Sequence, residues 1–95
     1  MDNYYLAQTT TDPVILDELS RDKHWWVRWD VAYNLNTSPE TLKQMSIGEE
    51  NNNIKYHIKK HSNCPEETWK YLSALEILKA LPTNTQNSNL RRKNP

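Results

Sequence analysis

The stretch DKHWWVRWDVAYNLNTSPETL (residues 22–42) decides the fold. It holds two helical phrases joined by a polar run that ends in proline. In the first, VRWDVAYN (27–34), Val27 and Val31 stand four apart and so share one face of a helix. In the second, Pro39 is followed by Glu40 and then by Leu42 and Met45, an apolar stripe at helical spacing. Proline suits the first helical position, where its missing N–H has no intrahelical acceptor. Ser38 before it is a good N-cap, and Glu40 suits the positive end of the helix dipole.

Both phrases recur on either side. Pro13, Pro39 and Pro65 are spaced 26 and 26 apart, each after a short polar run (TTTDP, LNTSP, SNCP). Leu16, Leu42 and Thr68 lie three past the proline; Leu19, Met45 and Tyr71 lie six past it. Asp12 repeats the good cap, Cys64 is a poor one, and Glu66 and Glu67 acidify the third first turn. IKYHIKKH (54–61) matches VRWDVAYN, pairing Ile54 with Val27, Lys55 with Arg28, Tyr56 with Trp29 and Ile58 with Val31. YYLAQ (4–8) reads as the end of the same phrase, with Leu6 and Ala7 in the places of Val31 and Ala32. The chain therefore reads as alternating short helices, B′–A–B–A–B–A, and a repeat of this period implies a stack of helix pairs. The last A helix is expected to run from Pro65 to about Leu81 through Trp69, Tyr71, Leu72, Leu75, Ile77, Leu78 and Leu81, covering the end of the stack. GEENNN (48–53) reads as the one long polar loop, with Gly48 as a helix C-cap.

These residues resemble the variant leucine-rich repeat (LRV), a relative of HEAT-like α-solenoids. The resemblance rests on Asp22, Val27, Arg28, Val31, Ala32 and Asn34, then Asn36, Thr37, Ser38, Pro39, Glu40 and Leu42, and it spans about residues 3–80. The third unit keeps Ile54, Lys55, Ile58, Asn63 and Pro65 but has Lys59 in place of alanine and His61 in place of asparagine. It implies an all-α fold, a short right-handed α-solenoid of about two and a half to three helix-pair repeats in which the A helices are short or 3₁₀. It also implies a binding surface, with no catalysis and no cofactor. The iron–sulfur segment of some members needs several cysteines, and this chain has one, Cys64.

Composition bounds the rest. Ninety-five residues fit one domain, expected at 1–81, followed by a disordered polar and basic tail at 82–95. Mean hydropathy is −0.97, so four Trp and five Tyr, with no Phe, must supply core volume. So small a core predicts marginal stability without a partner. Twelve basic and twelve acidic residues cancel, which excludes whole-molecule attraction to nucleic acid or anionic membrane. Residues 1–50 nevertheless carry nine acids against four bases, net −5, and residues 51–95 eight bases against three acids, net +5. A charge dipole of this kind, with open stack ends, favours head-to-tail association of copies. No signal-peptide pattern or apolar run of membrane-spanning length occurs, so a reducing cytoplasm and no membrane are expected. The small size and Asn-rich composition suit a phage or mobile-element accessory protein.

Two surfaces stand out. HWWVRW (24–29) places Trp25 and Trp29 on one face with Arg28 between them, Trp26 beside them and Tyr33 nearby. Three Trp on one short helix exceed what so small a core can enclose, and Trp with Arg is the usual make-up of a binding hot spot. The competing reading places these rings in the core and Arg28 in a salt bridge to Asp22 or to an acid on the next repeat. The second surface is the basic stripe Lys55, Lys59 and Lys60 with Tyr56, joined by Arg91, Arg92 and Lys93 of the tail, which would engage phosphates and stack bases. Against it stand the acidic first half and the ordinary role of lysines as a solvated face. His57 and His61, with Cys64 three further on, supply only three ligands, and Ile58 stands where a zincin needs Glu, so no metal is expected. No acid–base pair or phosphate loop is present. The sequence therefore predicts a non-enzymatic protein-binding module, adaptor or inhibitor, centred on Trp25, Trp26, Arg28, Trp29 and Tyr33, with nucleic-acid binding as the alternative.

Overall fold

Each helix of this protein is short, so its ends matter as much as its length. A computed structural model describes residues 2–80, and these form six α-helices and no strand. They are α1 (Asn3–Thr9), α2 (Pro13–Leu19), α3 (Trp25–Tyr33), α4 (Pro39–Gly48), α5 (Asn52–Lys60) and α6 (Glu66–Ala80). Leu81 and the tail expected at 82–95 lie outside the described residues. No described helix is long and apolar enough to cross a membrane.

The expected caps are in place. Asp12 accepts from the Val14 backbone N–H and Ser38 from that of Thr41, each directly before a proline at the helix start. Helix α6 differs: it begins at Glu66, and the Pro65 carbonyl accepts from the backbone N–H groups of Thr68 and Trp69. The N-cap of α3, His24, offers no side-chain bond to the helix, and Asp22 instead braces the turn before it. Its carboxylate accepts from the backbone N–H of His24 at 2.8 Å and from Asn3 Nδ2 at 3.0 Å. These bonds, the backbone one foremost, hold its pKa down to about 2.

The apolar stripes then set the packing. Helix α3 packs against α1 on one side and α5 on the other, and α5 packs against α6. Helices α2 and α4 lie across this row, α2 on α1 and α3, α4 on α5 and α6. One continuous core runs between the two sets: Ala7, Leu16, Val27, Val31, Leu42, Ile54 and Ile58 are all essentially sealed from solvent. In the third unit Leu72 takes the buried place expected of Tyr71, which is exposed, so the stripe there steps by four residues from Thr68 instead of three. The outer face of α6 is left open, with Trp69, Ile77 and Leu78 exposed, so the final helix closes the core on one side only.

Loop side chains bond to segments 24 to 28 residues away in the chain. Asn34 Nδ2 donates to the carbonyls of Ala7 and Thr10, both at 2.9 Å, and its Oδ1 accepts from the Asn36 backbone N–H at 2.8 Å. His61, one unit later, does the same two things: Nε2 lies 2.7 Å from the Asn34 carbonyl, and Nδ1 accepts from the Asn63 N–H at 3.0 Å. A carbonyl can only accept, so the imidazole carries its proton on Nε2. The histidine that departs from the repeat pattern thus reproduces the donor and acceptor of the asparagine it replaces. Asn63 Nδ2 adds bonds to the carbonyls of Leu35 and Thr37.

The polar run at 48–53 is shorter than expected. Helix α4 continues through Gly48, Glu49 is its C-cap, and Asn51 caps α5 by accepting from the N–H groups of Asn53 and Ile54. Gly48 is therefore the last residue of α4 rather than its cap, and a Cβ there would meet nothing within 4 Å. Gly48→Ala is expected to stabilise the chain by about 0.5–1 kcal/mol, read as a raised urea midpoint. His61→Asn should leave that midpoint within error of wild type, whereas His61→Ala should cost about 1–2 kcal/mol, because the Asn34 carbonyl loses its donor.

Candidate functional site

Helix α3 carries the sharpest chemistry, and its register decides which side chains face out. With Val27 and Val31 turned to the core, Trp25 and Trp26 in the first turn remain 50% and 43% exposed, and Tyr33 in the last turn 67%. Trp29 is half-buried and packs against the core edge. The rings meet edge to face, Trp26 with Trp25 at 5.7 Å between centroids and Trp25 with Trp29 at 6.3 Å. From Trp29 the contact crosses to α5: the His57 ring lies 4.6 Å from Trp29, 5.4 Å from Tyr33 and 5.7 Å from Tyr56. An aromatic surface thus runs from the start of α3 to the end of α5. Edge-to-face pairs at these separations add about 0.5–1.5 kcal/mol each beyond burial and fix the rings in place.

Arg28 does not belong to this surface. Its Nε and Nη2 make a bidentate pair with Glu49 at 2.9 and 3.1 Å, and Nη1 donates to the carbonyls of Asp22 and Lys23. The Glu49 side chain is only 3% exposed and also accepts from the Asn51 backbone N–H. The hydrogen bond to Glu49 raises the guanidinium pKa further above its ordinary value. Expected in the binding surface, Arg28 instead joins the turn before α3 to the loop between α4 and α5. The acid on the next repeat that competed for it in the sequence is Glu49.

The basic stripe of α5 divides between two faces. Lys59 pairs with Glu76 of α6 at 2.9 Å, and Lys55 lines the same α5–α6 groove. Lys60 turns the other way, 5.7 Å over the ring of exposed Tyr56, and lines a groove with Tyr33, Leu35, His57 and His61. The three lysines therefore do not present a common phosphate face. Arg91, Arg92 and Lys93 lie outside the described residues. His57 sits among aromatic rings and His61 in the loop ladder. Burial pushes the Cys64 thiol up, which keeps it protonated.

Three contiguous grooves follow the aromatic row. One of about 600 Å³ lies among Tyr4, Trp25, Trp26, Trp29 and Asn51; the next, about 540 Å³, shares Trp29 and adds Gln8, Tyr33 and Asn34; a third, about 460 Å³, continues past Tyr33 to His57 and Lys60. Asp30 lines the first two, and its Oδ2 is buried without a hydrogen-bond partner among the described residues. Sequence reasoning passed over Asp30 as a site residue, grouped His57 with the basic residues of 55–61, and weighed it as a metal ligand only to set that aside. The repeat register held the signal, since the spacing that pairs Trp29 with Tyr56 also pairs Asp30 with His57. No family model, curated protein or solved structure matches this chain.

The Arg28–Glu49 pair is expected to be structural. Arg28→Met leaves the Glu49 carboxylate buried and unpaired and should cost about 3 kcal/mol or more in denaturant unfolding. Arg28→Met with Glu49→Leu should recover part of that loss, because no charge is then stranded.

Proposed function

We propose that this protein is a non-enzymatic helical-repeat module that binds another protein through the aromatic face of α3 and α5. In this reading the helix pairs form a short right-handed α-solenoid of the LRV or HEAT-like kind. The shared row of α1, α3 and α5 and the bonds that reach back one repeat support it. The observation that carries the functional reading is the exposure of Trp25 and Trp26 beside Trp29, in a chain with little apolar surface to spare. A half-exposed indole that adds nothing further to the core is costly to leave in water. At about 25 cal/mol per Å² and about 150–250 Å² per ring, covering the open area of the two yields about 3.5–6 kcal/mol, the scale of a hot spot. Arg28 supports the surface from behind by fixing the first turn of α3, and Tyr33 extends it. The nucleic-acid reading draws less support, because Glu76 neutralises Lys59 and the remaining lysines diverge.

The test is affinity capture from native lysate with and without nuclease, wild type beside Trp25→Ala/Trp26→Ala. This pair spares Trp29, which packs on the core. A nuclease-resistant protein at near-equal stoichiometry, lost in the double variant, is expected. Recovery of nucleic acid alone, unchanged by the tryptophan substitutions, would overturn the proposal in favour of α5 and the basic tail.

A further inference from the structure

The groove beside Asp30 has walls and a carboxyl that select for the same sign of charge. Its walls are indole and phenol rings from Trp25, Trp26, Trp29 and Tyr4, whose faces carry negative potential and attract cations. Asp30 lines it too, half-buried, with one carboxyl oxygen, Oδ2, sealed from solvent and without a hydrogen-bond partner among the described residues. None of the ion pairs among the described residues involves Asp30. Burial raises the Asp30 pKa, so the site resists holding a bare carboxylate and is relieved when a cation arrives. A half-buried carboxyl with one oxygen unpartnered costs the folded state stability unless a cation compensates it.

We propose that the Trp25–Trp26–Trp29–Asp30 groove is a cation site that takes an arginine side chain of the protein partner. Arginine fits better than lysine because its planar guanidinium stacks on indole, sheds water more easily and can bond a carboxylate with two N–H groups. The carboxyl is reached from either groove that Asp30 lines, and rotation about χ2, soft in aspartate, exchanges its two oxygens. This inference rests on the protein-binding reading and names the chemistry that reading requires.

The probe is acetyl-Gly-Arg-Gly-amide beside its citrulline counterpart, which keeps the shape and loses the charge, titrated into the full chain labelled with ¹⁵N. The arginine peptide should shift the indole Nε1–H resonances of Trp25, Trp26 and Trp29 and leave Trp69, on the exposed face of α6, unmoved. The citrulline peptide should bind about tenfold more weakly or less. Asp30→Asn should weaken the arginine peptide by a similar factor. At pH 7 it should melt no lower than wild type, because above its raised pKa the ionised carboxylate costs the folded state stability. Equal shifts with citrulline, or equal shifts at Trp69, overturn the cation site without needing the variant. A captured protein that is lost with the Trp25/Trp26 pair but kept by Asp30→Asn, and not displaced by the arginine peptide, also overturns it while leaving protein binding intact.

Discussion

The guanidinium of Arg28 makes four hydrogen bonds to three groups in two segments of chain outside its own helix, and the arrangement of the molecule turns on it. The carbonyls of Asp22 and Lys23 lie just before α3, while Glu49 ends α4 and bonds the backbone at Asn51, where α5 begins. None of these helices is long enough to persist alone in water, so their mutual placement must come from contacts such as this one. A carboxylate as deeply buried as that of Glu49 is tolerated only because both its oxygens are bonded. The pair therefore fixes one geometry: any other register of α3 against α4 and α5 would strand a buried charge.

The loop ladder works beside it on the opposite ends of the helices. Asn34 and His61 each satisfy carbonyls left open where a preceding helix or loop ends, and each braces its own turn through a second bond two residues on. Helix ends leave such groups without intrahelical partners, and a short helix has proportionally more of them. Satisfying them from a loop 24 to 27 residues further along the chain makes α1 and α3 depend on the segments that follow them. Thr37, fully buried, adds a bond from its hydroxyl to the Val31 carbonyl at 2.6 Å, closing the same corner.

With its loops held in this way, α3 keeps an aromatic face that the core does not need. Val27, Val31 and Ala32 already fill the space between α1, α2 and α5, so Trp25 and Trp26 are left outside. The arrangement separates two tasks within one helix of nine residues: every third or fourth position maintains the stack, and the positions between them form the grooves. Asp30 belongs to the second set, and one of its carboxyl oxygens is left without a hydrogen-bond partner among the described residues.

Proline spacing, capping residues and the i, i+4 apolar pairs determined the helices locally. Pro13 and Pro39 start helices with their caps, and Val27, Val31, Ile54 and Ile58 are buried, because these signals act within a few residues of chain. The same local rules could not place Arg28, whose two rival partners, Asp22 and an acid further on, looked equivalent until the α4–α5 loop came alongside. They could not say whether Trp25 and Trp26 were inside or out, since that depends on how much volume three neighbouring helices already fill. Nor could they show that His61 stands in for asparagine, because the matching donor and acceptor exist only once the Asn34 carbonyl lies 2.7 Å away. Sequence fixes what bonds over one helical turn. Charge partners, exposure and grooves are properties of surfaces brought together from residues twenty or more apart, and only packing decides those.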